Sequence, residues 1–279
     1  MNYEAFALDF LTETTEKIKE LEKKDFGRNV VGGVKGKPDD EEIGIDIIGE
    51  KILKKKLAEY NISAQVFSEH YNIDSTNPDV FIVIDPFDGS SIYKHGLPHM
   101  WYVALGIFDK NHNPVFAGVS EIMANRIYFT RPDGSYVKFL YNDDEKKLVP
   151  NFNKTKIDSI SAYIMKQRRL LGFHAKFKEF LSSLGPKALI YPNGGPGIFP
   201  YVAGGNIDAY IVDDETRLEI DSGFFIAQNA GCLINEITKD GLVPYKFIPG
   251  KQQERVNLLI TPNKEIQDQI VKYLKIGRR

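Results

Sequence analysis

Residues 80–84 form an unbroken apolar run, Val80-Phe81-Ile82-Val83-Ile84, which ends abruptly in Asp85-Pro86-Phe87-Asp88-Gly89-Ser90-Ser91. Five consecutive apolar residues suit a strand buried on both faces, so the chain must supply a layer to cover each side of it. The end of the run is as restrictive as its middle. Pro86 fixes φ and withholds an N–H, so the chain turns between Asp85 and Asp88, and the two carboxylates can converge on one point. Two adjacent carboxylates repel unless a cation stands between them. Gly89 then allows close backbone approach, and the N–H groups of Gly89, Ser90 and Ser91 are placed to hold an anion at a helix start. Hard oxygen ligands beside backbone donors are what a metal-assisted phosphate site needs, and magnesium shares its shell between carboxylates and substrate phosphate. Taken alone, the stretch could also be an ordinary strand-end turn.

Composition narrows the possibilities. A chain of 279 residues can bury a large core, as one large domain or two closely joined halves. Its formal net charge of −2 offers no basic footprint for nucleic acid. No apolar run is long enough to span a membrane, and the first residues lack the basic-then-apolar pattern of a signal peptide. Cys232 is the single cysteine, which excludes an internal disulfide framework and a Cys-rich zinc site and makes the cytoplasm the expected location.

Periodicity assigns the elements. Tyr3 to Lys24 reads as an amphipathic helix, with Phe6, Phe10, Leu11, Ile18 and Leu21 on one face. A Gly-rich loop at Gly32–Gly36 and an acidic run at Asp39–Glu42 precede a helix over Ile45–Tyr60. Val66-Phe67 is strand-like. After the acidic motif, Trp101–Phe108, Val115–Ile122, Arg126–Thr130 and Tyr136–Phe139 form an antiparallel meander, with Pro132-Asp133-Gly134 as a turn. The polar loop Asn142–Lys154 is the expected junction between an N-terminal half, 1–150, and a C-terminal half, 151–279. The second half alternates: strands at Ile160–Met165, Ala188–Tyr191, Ala209–Val212, Cys232–Ile234 and Val256–Ile260, and helices at Ala175–Leu184, Gly197–Ala203 and Leu218–Ala230. A last helix runs to Leu274 from Thr261 as N-cap and Pro262 as first residue. Such alternation implies an α/β layered fold.

Asp85 to Ser91 resembles the D-P-[IL]-D-G-[ST] signature of the inositol monophosphatase and fructose-1,6-bisphosphatase superfamily, and other elements of that family follow in order. Phe67-Ser68-Glu69 resembles its S-E-E element, with His70 in place of the second Glu. Asp46 and Glu50 match its D-x-x-x-E. Leu218-Glu219-Ile220-Asp221-Ser222-Gly223 resembles W-D-x-A-A-G, with Glu219 on the metal-binding Asp and Asp221 as a rival ligand about 200° away on a helix. Asn193-Gly194-Gly195 falls where the family has G-[ST]-A, a substrate-contacting loop. Asn206-Ile207-Asp208-Ala209-Tyr210 resembles G-x-x-D-A-Y, a structural element. The pattern is most similar to the compact archaeal enzymes of dual activity.

The resemblance implies an αβαβα sandwich of the sugar-phosphatase type and a Mg²⁺-dependent phosphomonoesterase acting on inositol-1-phosphate, fructose-1,6-bisphosphate or both. It implies two or three Mg²⁺ ions (Mn²⁺ as a substitute), held by Glu69, Asp85, the Phe87 carbonyl, Asp88 and Glu219. Asp46 and Ser90 would orient and deprotonate the attacking water. Gly89, Ser90, Ser91, Asn193, Gly194 and Gly195 would contact substrate. The implied partners are a small phosphorylated substrate and further copies of the chain, as a homodimer or homotetramer, with neither nucleic acid nor membrane. The position of the inositol-binding Glu of animal-type enzymes falls near Val212, beside Asp213 and Asp214, which leaves the substrate open. A phosphatase for 3′-phosphoadenosine 5′-phosphate or another sugar or nucleotide phosphate is the alternative within the class. A non-catalytic binding or regulatory homologue is the alternative outside it.

Other signals carry less. His70, His95, His99, His112 and His174 show no metal-binding spacing. His95 and His99 follow the signature closely enough to line a cleft, although a core or surface role explains them as well. Lys166, Arg168 and Arg169 could meet a substrate phosphate or form a solvated loop.

Overall fold

A computed structural model describes residues 2–24, 30–33, 41–69, 71–142 and 144–274, with only the backbone described at 30–33 and 41–43. The elements in chain order are α1 (Tyr3–Glu22), β1 (Val30–Gly33), β2 (Glu41–Ile43), α2 (Asp46–Glu59), β3 (Ala64–Phe67), β4 (Val80–Asp88), α3 (Ser90–Lys94), β5 (Tyr102–Phe108), β6 (Pro114–Glu121), β7 (Arg126–Arg131), β8 (Gly134–Phe139) and β9 (Glu145–Lys147). The chain continues through β10 (Ser159–Ser161), α4 (Gln167–Ser183), β11 (Leu189–Tyr191), a 3₁₀ turn (Pro196–Ile198), α5 (Phe199–Ala203), β12 (Ala209–Thr216), α6 (Arg217–Asp221), α7 (Phe224–Asn229), β13 (Leu233–Thr238), β14 (Gly241–Pro244), β15 (Arg255–Thr261) and α8 (Lys264–Val271).

Two sheets carry the architecture. One has seven strands in the order β3-β4-β5-β6-β7-β8-β9, parallel between β3 and β4 and antiparallel elsewhere. The other has six, in the order β11-β10-β12-β15-β13-β14, parallel at β11-β10-β12 and antiparallel from β12 to β14. Alternation along the strands assigns the layers. Ile82, Ile84, Val103, Leu105 and Ile107 pack outward against Phe6, Phe10, Leu11 and Ile18 of α1 and Leu53 and Leu57 of α2. Val83, Tyr102, Ala104 and Phe108 face inward, onto Phe199, Leu218 and Phe224 of the short helices and onto Tyr210, Leu258 and Ile260 of the second sheet. The far face of that sheet packs Ile160, Ile211 and Leu259 against Phe173, Phe177 and Phe180 of α4 and Ile266 and Ile270 of α8. The five layers are therefore αβαβα, and the middle layer is one core to which residues 67–148 and 198–260 both contribute. Burying each large apolar side chain there is worth about 1.5–3 kcal/mol.

Local chemistry explains most element limits. Asn2 caps α1, its side chain accepting from the Ala5 N–H at 3.0 Å. Lys56 is buried on α2 and ties that helix to α1 through Asp9 and Glu13, both at 2.7 Å. The meander forms as its alternation predicts, and β8 starts at Gly134, two residues before the expected strand.

Several expectations need correction. The strand expected over Ile160–Met165 ends at Ser161, because Ala162 and Ile164 bond irregularly to the carbonyls of Tyr191 and Pro192. Helix α4 starts at Gln167, not Ala175; its early Leu170 and Leu171 are exposed, so apolar periodicity cannot mark that end. The segment Leu218–Ala230 is two helices broken at Ser222-Gly223, where a Cβ on Gly223 would lie 2.9 Å from the Pro196 ring. The last helix is capped by Asn263, whose Oδ1 accepts from the Ile266 N–H at 2.8 Å; Thr261 instead ends β15, opposite Leu233, and the helix stops at Val271. Within Asn142–Lys154, Glu145–Lys147 pairs with β8 as a seventh strand, a short charged edge that periodicity cannot detect. Gly32 and Gly33 of the expected Gly-rich loop end β1, and Glu41 and Glu42 of the acidic run begin β2; Val34, Lys35 and Gly36, Asp39 and Asp40, and His70 lie outside the described residues.

Candidate active site

The carboxylates converge because β4 is bulged. Side chains three apart on a regular strand point to opposite faces. Here Asp85 pairs with Ala104 and Asp88 with Tyr102, so three steps on β4 oppose two on β5. The extra residue returns Asp88 to the face of Asp85, and both turn toward the middle layer. Beyond them Gly89 adopts φ +114°, and a Cβ there would lie 2.6 Å from the Met100 carbonyl. Any other residue would be strained as well as crowded. Ser90 then starts α3, whose first N–H groups have no partner within the helix.

The third carboxylate comes from the other half of the chain. Ligand atoms of Asp85, Asp88 and Glu219 lie within 4.8 Å of one another, with Asp85 buried and the other two half-buried. Glu219 sits in the first turn of α6, directly after β12. Its rival Asp221 points elsewhere: its carboxylate accepts from the Tyr245 hydroxyl at 2.8 Å and is faced by the Gln252 amide at 3.4 Å. Full burial raises the Asp221 pKa to about 7, against the opposing pull of Tyr245, Arg217 and Gln252.

The other expected residues arrange themselves around this trio. Asp46, buried at the start of α2, accepts from Ser90 Oγ at 2.7 Å, while Ser90 Oγ also lies 3.0 Å from the Phe87 carbonyl. Gly49 lets α2 approach the motif, since a Cβ there would meet the Pro86 side chain at 2.9 Å. Glu69 is half-buried and stands outside the trio, on the loop after β3. That loop is tied to α2 by Ser68 Oγ, which donates to Glu50 Oε1 at 2.5 Å. Ser91 is exposed in the first turn of α3, and its carbonyl is bonded to the His95 ring. Across the cleft, Asn193 is buried and its carbonyl accepts from Ser161 Oγ at 2.7 Å. Gly194 packs on Tyr163. Gly195, at φ +76°, lies against the Asp88 carboxylate.

Two features escaped sequence reasoning. The Glu50–Ser68 bond links two elements whose spacings were recognised separately, and only packing joins them. Tyr210, read as part of a structural element, accepts the Gly195 N–H at 2.8 Å on the hydroxyl. The basic cluster also resolves in part. Arg169 donates to the carbonyls of Asp213 and Asp214 at 2.8 and 2.7 Å and pairs with Glu215 at 3.2 Å, which occupies its guanidinium with protein groups.

The fold and this cluster define a class, and comparison with known proteins agrees. The profile of the inositol monophosphatase family matches residues 2–277. A fructose-1,6-bisphosphatase/inositol-1-monophosphatase from Methanocaldococcus jannaschii is 30% identical over 265 residues, which span 92% of this chain and 96% of that protein. One of the same description from Thermococcus kodakarensis is 27% identical over 239 residues, 84% of each chain. The crystal structure of an inositol monophosphatase-fructose 1,6 bisphosphatase superposes with a TM-score of 0.77 at 25% identity, covering 98% of this chain and 100% of that one. The chain belongs to the inositol monophosphatase family. It is accordingly a phosphoric monoester hydrolase that acts on small phosphorylated substrates. None of its helices, among the described residues, is long and apolar enough to cross a membrane.

Proposed function

We propose that this protein is a Mg²⁺-dependent phosphomonoesterase that hydrolyses inositol-1-phosphate, fructose-1,6-bisphosphate or both by direct attack of water. The observation that carries the reading is the convergence of Asp85, Asp88 and Glu219 within 4.8 Å. Three carboxylates so close repel strongly unless a cation or protons compensate them. An all-oxygen donor set fits Mg²⁺, or Mn²⁺ in its place, better than a soft metal. Asp85, Asp88 and Glu219 would hold one ion. Glu69, Asp85 and the Phe87 carbonyl, which keeps a second lone pair beside Ser90, would hold another. Bound there, such ions would supply charge stabilisation of the phosphoryl oxygens and a lowered pKa for water.

The chain's own groups then have distinct tasks. Ser90 has one hydroxyl proton. With that proton on Asp46, its oxygen is left to accept a hydrogen bond from the attacking water. The pair orients the nucleophile and draws its proton toward the buried Asp46 carboxylate. The N–H groups of Gly89, Ser90 and Ser91 face the phosphoryl oxygens from one side, and the Asn193–Gly195 loop faces them from the other. Water adds to phosphorus as the bond to the sugar oxygen breaks; that oxygen takes a proton from solvent water and leaves as the alcohol, and Asp46 returns the nucleophile's proton to solvent, so no covalent phosphoenzyme is required.

Phosphate release from inositol-1-phosphate, fructose-1,6-bisphosphate, 3′-phosphoadenosine 5′-phosphate and NADP, with and without Mg²⁺, tests the reading. Mg²⁺-dependent release from either of the first two supports it. Release confined to the nucleotides overturns the substrate assignment, and no release from any of them overturns the enzymatic one. The relatives described as acting on both sugar phosphates support this substrate class. We further propose a homo-oligomer, which sedimentation would test.

A further inference from the structure

We propose that Tyr210 is a positioning residue for the metal centre: its hydroxyl holds the Gly194-Gly195 turn against Asp88 and thereby fixes the direction in which that carboxylate points. The inference rests on the reading of Asp88 as a metal ligand. Three observations support it. Tyr210 is fully buried on β12, and its hydroxyl accepts the Gly195 N–H at 2.8 Å. Gly195 is at φ +76° and so close to the Asp88 carboxylate that a Cβ would overlap it. Gly194 is equally close on the other side, where a Cβ would lie 3.1 Å from the Tyr210 oxygen and overlap Tyr163 at 2.6 Å. The turn is wedged between the hydroxyl and the carboxylate, with no room for a side chain on either glycine.

The hydroxyl suits this position chemically. Burial raises its pKa well above the ordinary range, and the negative charges of Glu215, Glu219 and Asp88 act in the same direction. The group therefore stays neutral. It uses a lone pair on Gly195 and keeps its proton in a region surrounded by acids. Edge-to-face packing of the ring on Phe199, with centroids 5.6 Å apart, fixes where the oxygen lies. Phenylalanine would fill the same space and remove only the acceptor, leaving the turn free to shift and loosening its contact with the Asp88 carboxylate. Loss of a partner that orients a ligand costs roughly 10- to 100-fold in metal affinity or activity.

The test is Mn²⁺ binding to the full-length protein by electron paramagnetic resonance, without substrate, together with the Mg²⁺ dependence of phosphate release. Tyr210→Phe is expected to weaken Mn²⁺ binding about 10-fold and to raise the Mg²⁺ half-saturation in parallel, with a modest fall in the thermal midpoint from the Gly195 N–H left without its acceptor. Gly195→Ala, which pushes directly on Asp88, is expected to weaken Mn²⁺ binding further and decides the matter should the phenylalanine variant not fold. Wild-type Mn²⁺ affinity in either variant overturns the proposal. Asp88→Asn separates the two levels. If it binds Mn²⁺ like wild type, the metal reading itself fails. If it loses the ion while Tyr210→Phe keeps it, only the positioning role fails.

Discussion

Two bulged strands face each other across the middle layer, and they use the same device to different ends. In β4 the extra residue lies between Asp85 and Asp88; in β12 it lies between Val212, opposite Leu258, and Glu215, opposite Val256. Each bulge returns a carboxylate to the inner face of its sheet. On β12 the turn passes through Asp214 at φ +57°, and Glu215 is met by Arg169 at 3.2 Å, with the adjoining carbonyls also bonded to that arginine. On β4 the carboxylate is brought toward two others. The acid of β12 is matched by a cation within the chain, which makes it a structural joint. The acids of β4 and α6 are grouped with each other, an arrangement suited to an ion from solution.

That contrast can be broken by substitution. The largest effect is expected from Asp88→Asn, which should abolish Mg²⁺-dependent phosphate release, since it removes one of three converging anionic oxygen ligands. Near wild-type turnover in a phosphate-release assay would remove the basis for the β4 assignment. Ser90→Ala should lower kcat by about 10²- to 10⁴-fold with little change in KM, the range of a lost proton-transfer partner; steady-state kinetics measures both. On the other strand, Arg169→Ala should cost about 2 kcal/mol of stability, since it strips a charge-assisted bond from Glu215. Denaturant melts would show this, and turnover per folded molecule should change far less than in Asp88→Asn. Equal losses of turnover in the two variants would erase the distinction.

A smaller effect concerns pH. Burial lifts the Asp221 carboxyl from 3.8 to about 7 in the folded chain, so between those values the native state holds a proton that the unfolded chain has released. Stability therefore falls as pH rises through this window, by about 1.4 kcal/mol for each unit of effective shift. Asp221→Asn keeps an acceptor for Tyr245 and should flatten the thermal midpoint between pH 4 and 7. An unchanged slope would show that Asp221 is ionised throughout.

Legibility in the sequence followed the range of the forces involved. The convergence of Asp85 and Asp88 and the turn at Gly89 were readable because proline, glycine and the apolar run act on their immediate neighbours, whereas the expected roles of Phe87 and Ser90 came from the family resemblance. The meander was readable from alternation and the Pro132-Asp133-Gly134 turn. Helix limits failed where long-range packing sets them: Gly223 breaks a helix because Pro196 crowds it, and Leu170 and Leu171 extend one without being buried. Glu219 and Asp221 could not be ranked from spacing, because the answer depends on Tyr245 and Gln252, which occupy Asp221 from 24 and 31 residues away.

The sequence by itself determined the acid-turn-hydroxyl segment and the layered class, which follow from backbone restriction and side-chain alternation over a few residues, while the kind of chemistry came from the ordered motifs that resemble a known family. Only the tertiary structure decided which distant carboxylate joins Asp85 and Asp88, and that Tyr210 bonds the glycine turn against them. Those contacts depend on a shared core that sets two sheets a fixed distance apart, and no property of a short segment encodes that separation.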